Sequence, residues 1–417
     1  MLCATNAIAE EISLVGKEDT ITGNFQGWKI NLNDAYAADD EKIDTSKSVE
    51  EIKIDLQNLT ELRYSINDMP QEVSKVSVSD GAILNLNNVR LLVDAKQNTT
   101  NADGSIDAIV VKGGTINLTN SSLDASSDEG DKIFNTKFDN ATLKLVNSEL
   151  PIDGAVSFTN GSKLSISAPN YFSEDEVLDM LHNDENALKM AEALQGKPNE
   201  NGALWPSGVE LKYTNADGIT GSIDSGDIQT EQLVEVRRLT IDNSEVILGD
   251  SDNPEDRAAM KSDSQIFIQN NSKVVLNNRA YLGFDYEKYT DEEDIVDRNE
   301  IEALYGKANM TIDHSQVLLN DNSQLNVRNE AGATTVIQNN SQIFMNDSSQ
   351  MNLNAVTITD SQIHMKDNAI LTMDSVVLQK AAIHGTGTNK VIIAGENATT
   401  FEDTSLEITD ANAIQVN

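Results

Sequence analysis

From about Val76 onward the chain alternates apolar and polar residues in runs of four or five, each bounded by Asn, Asp or Ser. A period of two predicts half-buried strands, because a helix places its apolar residues three and four apart. The alternation is itself repeated. Ser341-Gln342-Ile343-Phe344-Met345 returns 20 residues later as Ser361-Gln362-Ile363-His364-Met365, and Leu353 with Met373 and Val356 with Val376 extend the match without gaps. Within this unit the turn-plus-strand signal recurs after 8 residues, at Ser349-Gln350, and after a further 12, at Ser361. Ala381-Ala382-Ile383-His384 continues the series, and Ser315-Gln316-Val317 and Ser323-Gln324-Leu325 precede it with the same offset of 8. An earlier copy is read at Ser264-Gln265-Ile266 and Ser272-Lys273-Val274, so the pattern is clearest over residues 264–394.

Isolated strands this short cannot cover their own apolar face, whereas a repeat of about 20 residues can coil so that each turn stacks on the last. The prediction is an all-β chain, a parallel β-helix or β-solenoid. Ile343, Ile363 and Ile383 then share one interior column, Phe344 and His364 point outward, and successive turns lie about 4.8 Å apart.

Two stretches interrupt the alternation and read as helical insertions. Near 173–196, Ser173 and Glu176 form a capping box, Val177, Leu181, Leu188 and Ala191 follow one stripe, and Gly196 with Pro198 marks a stop. Near 290–306, Thr290 and Glu293 cap a segment whose Ile301, Leu304 and Tyr305 share a face, ending at Gly306. Leu248 to Asp263 is polar without alternation and reads as a long loop. Residues 10–75 read as an irregular or capping region, and 76–417 as the solenoid.

Composition narrows the function. Lys and Arg total 30 against 68 Asp and Glu, a formal charge of −38, which repels nucleic acid and anionic lipid. The single cysteine, Cys3, excludes a disulfide framework and a cysteine-based zinc site. Ala7-Ile8-Ala9 before Glu10 resembles the cleavage pattern of a secretory signal, so residues 1–9 read as a signal-peptide remnant. No segment has the roughly 18 apolar residues of a membrane-spanning helix.

Parallel β-helices host polysaccharide lyases and hydrolases, whose chemistry needs converging carboxylates or a cation with basic side chains. No carboxylate pair stands at rung spacing in the clear repeats, and Ser315 to Ile393 holds only Arg328, Lys366, Lys380 and Lys390 as cations. Asn101–Asp107, Asn215–Asp227 and the Asp250 loop group oxygen ligands without completing a calcium loop. No phosphate-binding or dinucleotide motif occurs. No metal or cofactor is expected.

The repeats "NNSQIFMNDSSQMNL", "TDSQIHMKDNAILTM" and "NNSKVVLNN", behind "ATNAIAEE" and with a single cysteine, resemble the passenger regions of bacterial autotransporters. The resemblance implies a right-handed, pectin-lyase-like β-helix, secreted or displayed on the surface of a Gram-negative bacterium, with an outer-membrane barrel downstream. It implies no single activity. With no nucleophile and base in view, the expectation is a non-catalytic stalk for adhesion or self-association, engaging host or neighbouring-cell ligands or another copy. The alternative is a carbohydrate-active β-helix enzyme. Alternation places Phe267, Leu318, Phe344, His364 and His384 in one outward column, a partly apolar stripe on an acidic surface and the candidate binding site.

Overall fold

The computed structural model describes residues 11–23, 36–37, 61–66, 71–95, 98–102, 104–125, 133–167, 210–215, 220–223, 233–254, 256, 258–284, 303, 305–327, 333–394, 399–409 and 414–416. They fall into two compact units, one of residues 1–23, 71–169 and 232–417, the other of residues 24–70 and 170–231. The first unit is the solenoid. Its strands form an 18-stranded, a 12-stranded and a 3-stranded sheet, and every pairing between consecutive turns in them is parallel.

Each regular turn has three sides. Val356–Thr359, Gln362–Lys366 and Ile370–Asp374 make one turn, and Val377–Gln379, Ala382–Thr386 and Lys390–Ala394 make the next. In these turns the middle strand belongs to the 12-stranded sheet and the outer two to the 18-stranded sheet, whereas the last side of the early turns, Arg90–Val93 and Ser122–Asp124, lies in the three-stranded sheet. The long strands Leu150–Thr159, Leu233–Asp242 and Ala259–Gln269 bend across the corner between those outer sides, with a register shift at each pairing. Ile343, Ile363 and Ile383 stack in register and are buried, as their alternation predicts. Burying each such side chain contributes roughly 1.5–3 kcal/mol, which requires a neighbouring turn on both sides.

The corner entering the 12-stranded sheet is the most regular feature. One residue there takes left-handed backbone on every turn, from Gly16 and Asp80 through Asn140, Asn243, His314 and Asp360 to Asp403, with φ between 47° and 63°. Asn and Asp tolerate this conformation better than other side chains, which explains their recurrence at that place. Two residues later the repeated serine points inward. Ser162, Ser272 and Ser341 are buried and bridge turns, each Oγ accepting the N–H of Ala141, Ser244 or Ser315 at 3.0–3.3 Å. The serine of the Ser-Gln signature is thus a core residue and not part of the solvated turn. Insertions leave from the other two corners.

Just before this corner, the outward column runs Asp242, Gln269, Asp313, Gln338. Asp242 accepts Gln269 Nε2 at 3.0 Å and Asn270 Nδ2 at 2.9 Å, and Asp313 accepts Gln338 Nε2 at 3.0 Å and Asn339 Nδ2 at 2.7 Å. Alternating carboxylate with amide keeps like charges about two rungs apart, which is how an acidic chain stacks without self-repulsion.

Three readings of the sequence change. Among the described residues the solenoid already includes Glu11–Val15, which pairs with Lys75–Ser79, and Glu18–Thr22, which pairs with Ile83–Asn87, so residues 10–75 are not simply an irregular cap. The second unit, inserted after that first turn and again after the Lys163–Ser167 strand, contains a four-stranded mixed sheet in which Glu61–Ile66 pairs parallel with Glu210–Asn215. The stretch read as a loop from Leu248 to Asp263 includes the start of the Ala259–Gln269 strand. The predicted helix near 173–196 and the signal remnant at 1–9 lie outside the described residues; of the one near 290–306, only positions 303 and 305 are described within it as helical.

Candidate functional site

The outer face of the 12-stranded sheet carries one column whose character changes along the solenoid. Lys144 and Ser165 give way to Ile247, Val275, Leu318, Phe344, His364 and His384, and the column ends at Glu407. The four apolar members and the two histidines are all half-buried. Side chains beside the middle of the column are amides, Gln316, Gln342 and Gln362 on one flank and Asn277, Asn320 and Asn346 on the other, while the paired Glu245 and Lys273 flank Ile247 and Val275 and Lys366 flanks His364. Asn320 Nδ2 donates to Asn277 Oδ1 and Asn346 Nδ2 to Asn320 Oδ1, each at 2.9 Å. In a chain of net charge −38 the stretch around Leu318 and Phe344 is an uncharged window.

Parallel register stacks the rings. Phe344 and His364 have centroids 4.9 Å apart with planes 11° from parallel, and His364 and His384 are 5.3 Å and 19° apart. Their faces are occupied by one another, so the ring edges and imidazole nitrogens meet solvent. His364 Nε2 donates to Gln362 Oε1 at 3.1 Å. Burial, reinforced by the nearby His384, holds the His364 pKa below its ordinary value, so its ring is neutral at pH 7. His384 Nδ1 lies 3.3 Å from Glu407 Oε2.

Phe267 does not belong to this column. It lies in the Ala259–Gln269 strand of the other sheet, in register with Thr240 and Thr311, and Val275 takes the place assigned to it. The Ser-Gln signature opens more than one side of a turn, and an offset of 8 does not say which. Ile247 and Val275 went unread for the same reason, although "DNSEVILG" and "NNSKVVLNN" repeat the Asn-Ser-x-apolar signal of Asn340-Ser341.

The acidic turns considered for calcium engage their own chain. Burial pushes Asp107 up, but hydrogen bonds from Lys137 and Asn101 and the Lys137 charge outweigh it and hold the carboxyl below its usual value. Lys137 Nζ sits 2.7 Å from Asp107 Oδ1. Asp256, fully buried, accepts the N–H groups of Asp250 at 2.9 Å and Ala258 at 3.1 Å. Residues 216–219 and 224–227 of the third turn lie outside the described set. Among the described residues no group of three His, Cys, Asp or Glu side chains converges as a metal site.

One ionic cluster was invisible in the sequence. At the bent corner, Arg237 Nε lies 2.5 Å from Asp153 Oδ1 while Nη1 pairs with the buried Asp263, so three successive turns are tied together. Tyr305 packs there against Ala155. Burial first, then Asp153, pushes its pKa up to about 12. Its members are separated by 26 and 84 residues, and only the register shifts bring them into line.

Comparison of the chain with family models, curated proteins and solved structures returns no match.

Proposed function

We propose that this chain is a non-catalytic, secreted or surface-displayed stalk, a right-handed β-helix of the autotransporter-passenger kind that self-associates through the uncharged stripe. The supporting observation is the stripe itself: Ile247, Val275, Leu318, Phe344 and the histidine pair are consecutive outward residues, flanked on both sides by amides at Leu318 and Phe344. Molecules of charge −38 repel. Two copies approach at least cost where neither presents an ionised group, and flat sheet faces fit one another without rearrangement. The stripe spans about five rung intervals, about 24 Å, and covers roughly a third of the area per partner that a stable dimer buries. A single contact is therefore weak, and strength comes from many copies displayed side by side. Host or neighbouring-cell ligands are the other class of partner such a stalk engages. The right-handed sense follows the crossover preference of parallel strands.

Sedimentation velocity of the tag-free chain with EDTA, over rising concentration, tests the reading. Reversible association is expected, and the double variant Phe344→Ser, His364→Ser should remain folded and monomeric. A wild-type chain that stays monomeric, or a double variant that associates unchanged, overturns it.

A further inference from the structure

Of the groups that the stalk reading leaves unused, the Arg237 cluster is engaged within its own corner and the Asp107 network holds its own lysine. The histidine pair is different. His364 and His384 occupy the same outward position on adjacent parallel strands, which brings two imidazoles side by side without any loop to position them. Their rings are 19° from parallel with centroids 5.3 Å apart.

We infer that His364 and His384 form a two-imidazole site for a late divalent transition cation such as zinc or nickel. Zinc–nitrogen bonds of about 2.0–2.1 Å place two imidazole nitrogens about 3.3 Å apart in a tetrahedral site, so the rings need only tilt toward one another. The half-buried side chains leave room for that tilt, since 35% of the His384 side chain is exposed. Neutral imidazole is the competent ligand, and it suits zinc, nickel and copper better than calcium or magnesium.

The surroundings favour the ion. Glu407, next in the column, brings its carboxylate within 3.3 Å of His384 Nδ1, where it can serve as the carboxylate partner that metal-bound imidazoles commonly have. His364 uses one ring nitrogen on Gln362 and retains the other lone pair. The nearest cation on its strand, Lys366, is paired with Asp367 at 3.4 Å. Two protein ligands make an open site. Water completes the coordination in an isolated chain. The site stands whether or not the stripe mediates association.

Isothermal titration of tag-free full chain at pH 7.5 with zinc and with nickel tests this, using calcium and magnesium to expose binding by surface carboxylates. The expected result is one equivalent of nickel or zinc bound by the wild type and lost in both His364→Gln and His384→Gln, with Glu407→Gln weakening it about tenfold. Phe344→His, which places a third imidazole in register, should tighten binding. Equal isotherms for the wild type and the His364→Gln, His384→Gln double variant overturn the proposal, as does a Phe344→His chain that binds no better than the wild type.

Discussion

The phenyl ring of Phe344 lies over the imidazole of His364, 4.9 Å between centroids, because the strands that carry them pair in parallel with no offset. Burial in this stack keeps His364 neutral, and the sign of its pH effect follows. A histidine whose pKa is lower folded than unfolded is protonated more readily by the unfolded chain. Its contribution to stability is complete above its ordinary pKa of 6.5 and is lost as pH falls through the lower folded value. The expected outcome is an unfolding midpoint that drops as pH falls below 6.5 and that His364→Gln flattens. His384→Gln should raise the His364 pKa, read from its imidazole proton resonances.

Ile363 and Gln362 are neighbours on opposite faces of one strand. Ile363 is buried between Ile343 and Ile383, and Gln362 is exposed. Ile363→Asp should therefore cost about 3–5 kcal/mol, the range for an unpaired buried charge, and Gln362→Asp close to nothing. Equal denaturant midpoints for the two would contradict the inward assignment.

Two buried serines one side apart should behave oppositely. Ser341 Oγ lies 2.6 Å from the Gln338 carbonyl and accepts the buried Ser315 N–H, so Ser341→Ala should cost about 1–3 kcal/mol. Ser349 is equally buried, yet its hydroxyl has no partner, and its place on the next turn is held by Ala369. Ser349→Ala should leave the thermal midpoint unchanged or raise it.

Gly385 stands where Met345 and Met365 stand on the preceding turns, and Asn389 fills the space. A Cβ on Gly385 would come 2.6 Å from Asn389 Oδ1, and neither polar atom of that buried amide is satisfied. Gly385→Ala should destabilise, Asn389→Ala should be neutral or stabilising, and the pair together should recover most of the loss. A double-mutant cycle that is simply additive would count against this contact.

Much of the core was readable where the repeat keeps its length. From Ile343 to Ile383 the spacing is constant, so alternation alone assigned inward and outward residues, and Leu318, Phe344, His364 and His384 were correctly grouped. Phe267 was misassigned where the spacing stretches, since Val274 aligns with Val317 across a long insertion and the same Ser-Gln signal opens two different sides. The buried role of the corner serines was likewise hidden, because a hydroxyl beside Asn and Asp reads as turn chemistry until the adjacent turn supplies its backbone partner.

By itself the sequence determined the strand period, the stacking repeat and, within the regular strands, the inward or outward face of a side chain, because these depend only on residues a few positions apart. The tertiary structure alone decided which residues meet across turns. Arg237 finds Asp153 over 84 residues, Glu407 finds His384 over 23, and the first turn at Glu11 finds Lys75 across an inserted unit. Those distances are set by loop lengths and register shifts, and alternation carries no record of either. A strand knows its faces locally, but its neighbour is chosen by where the chain returns.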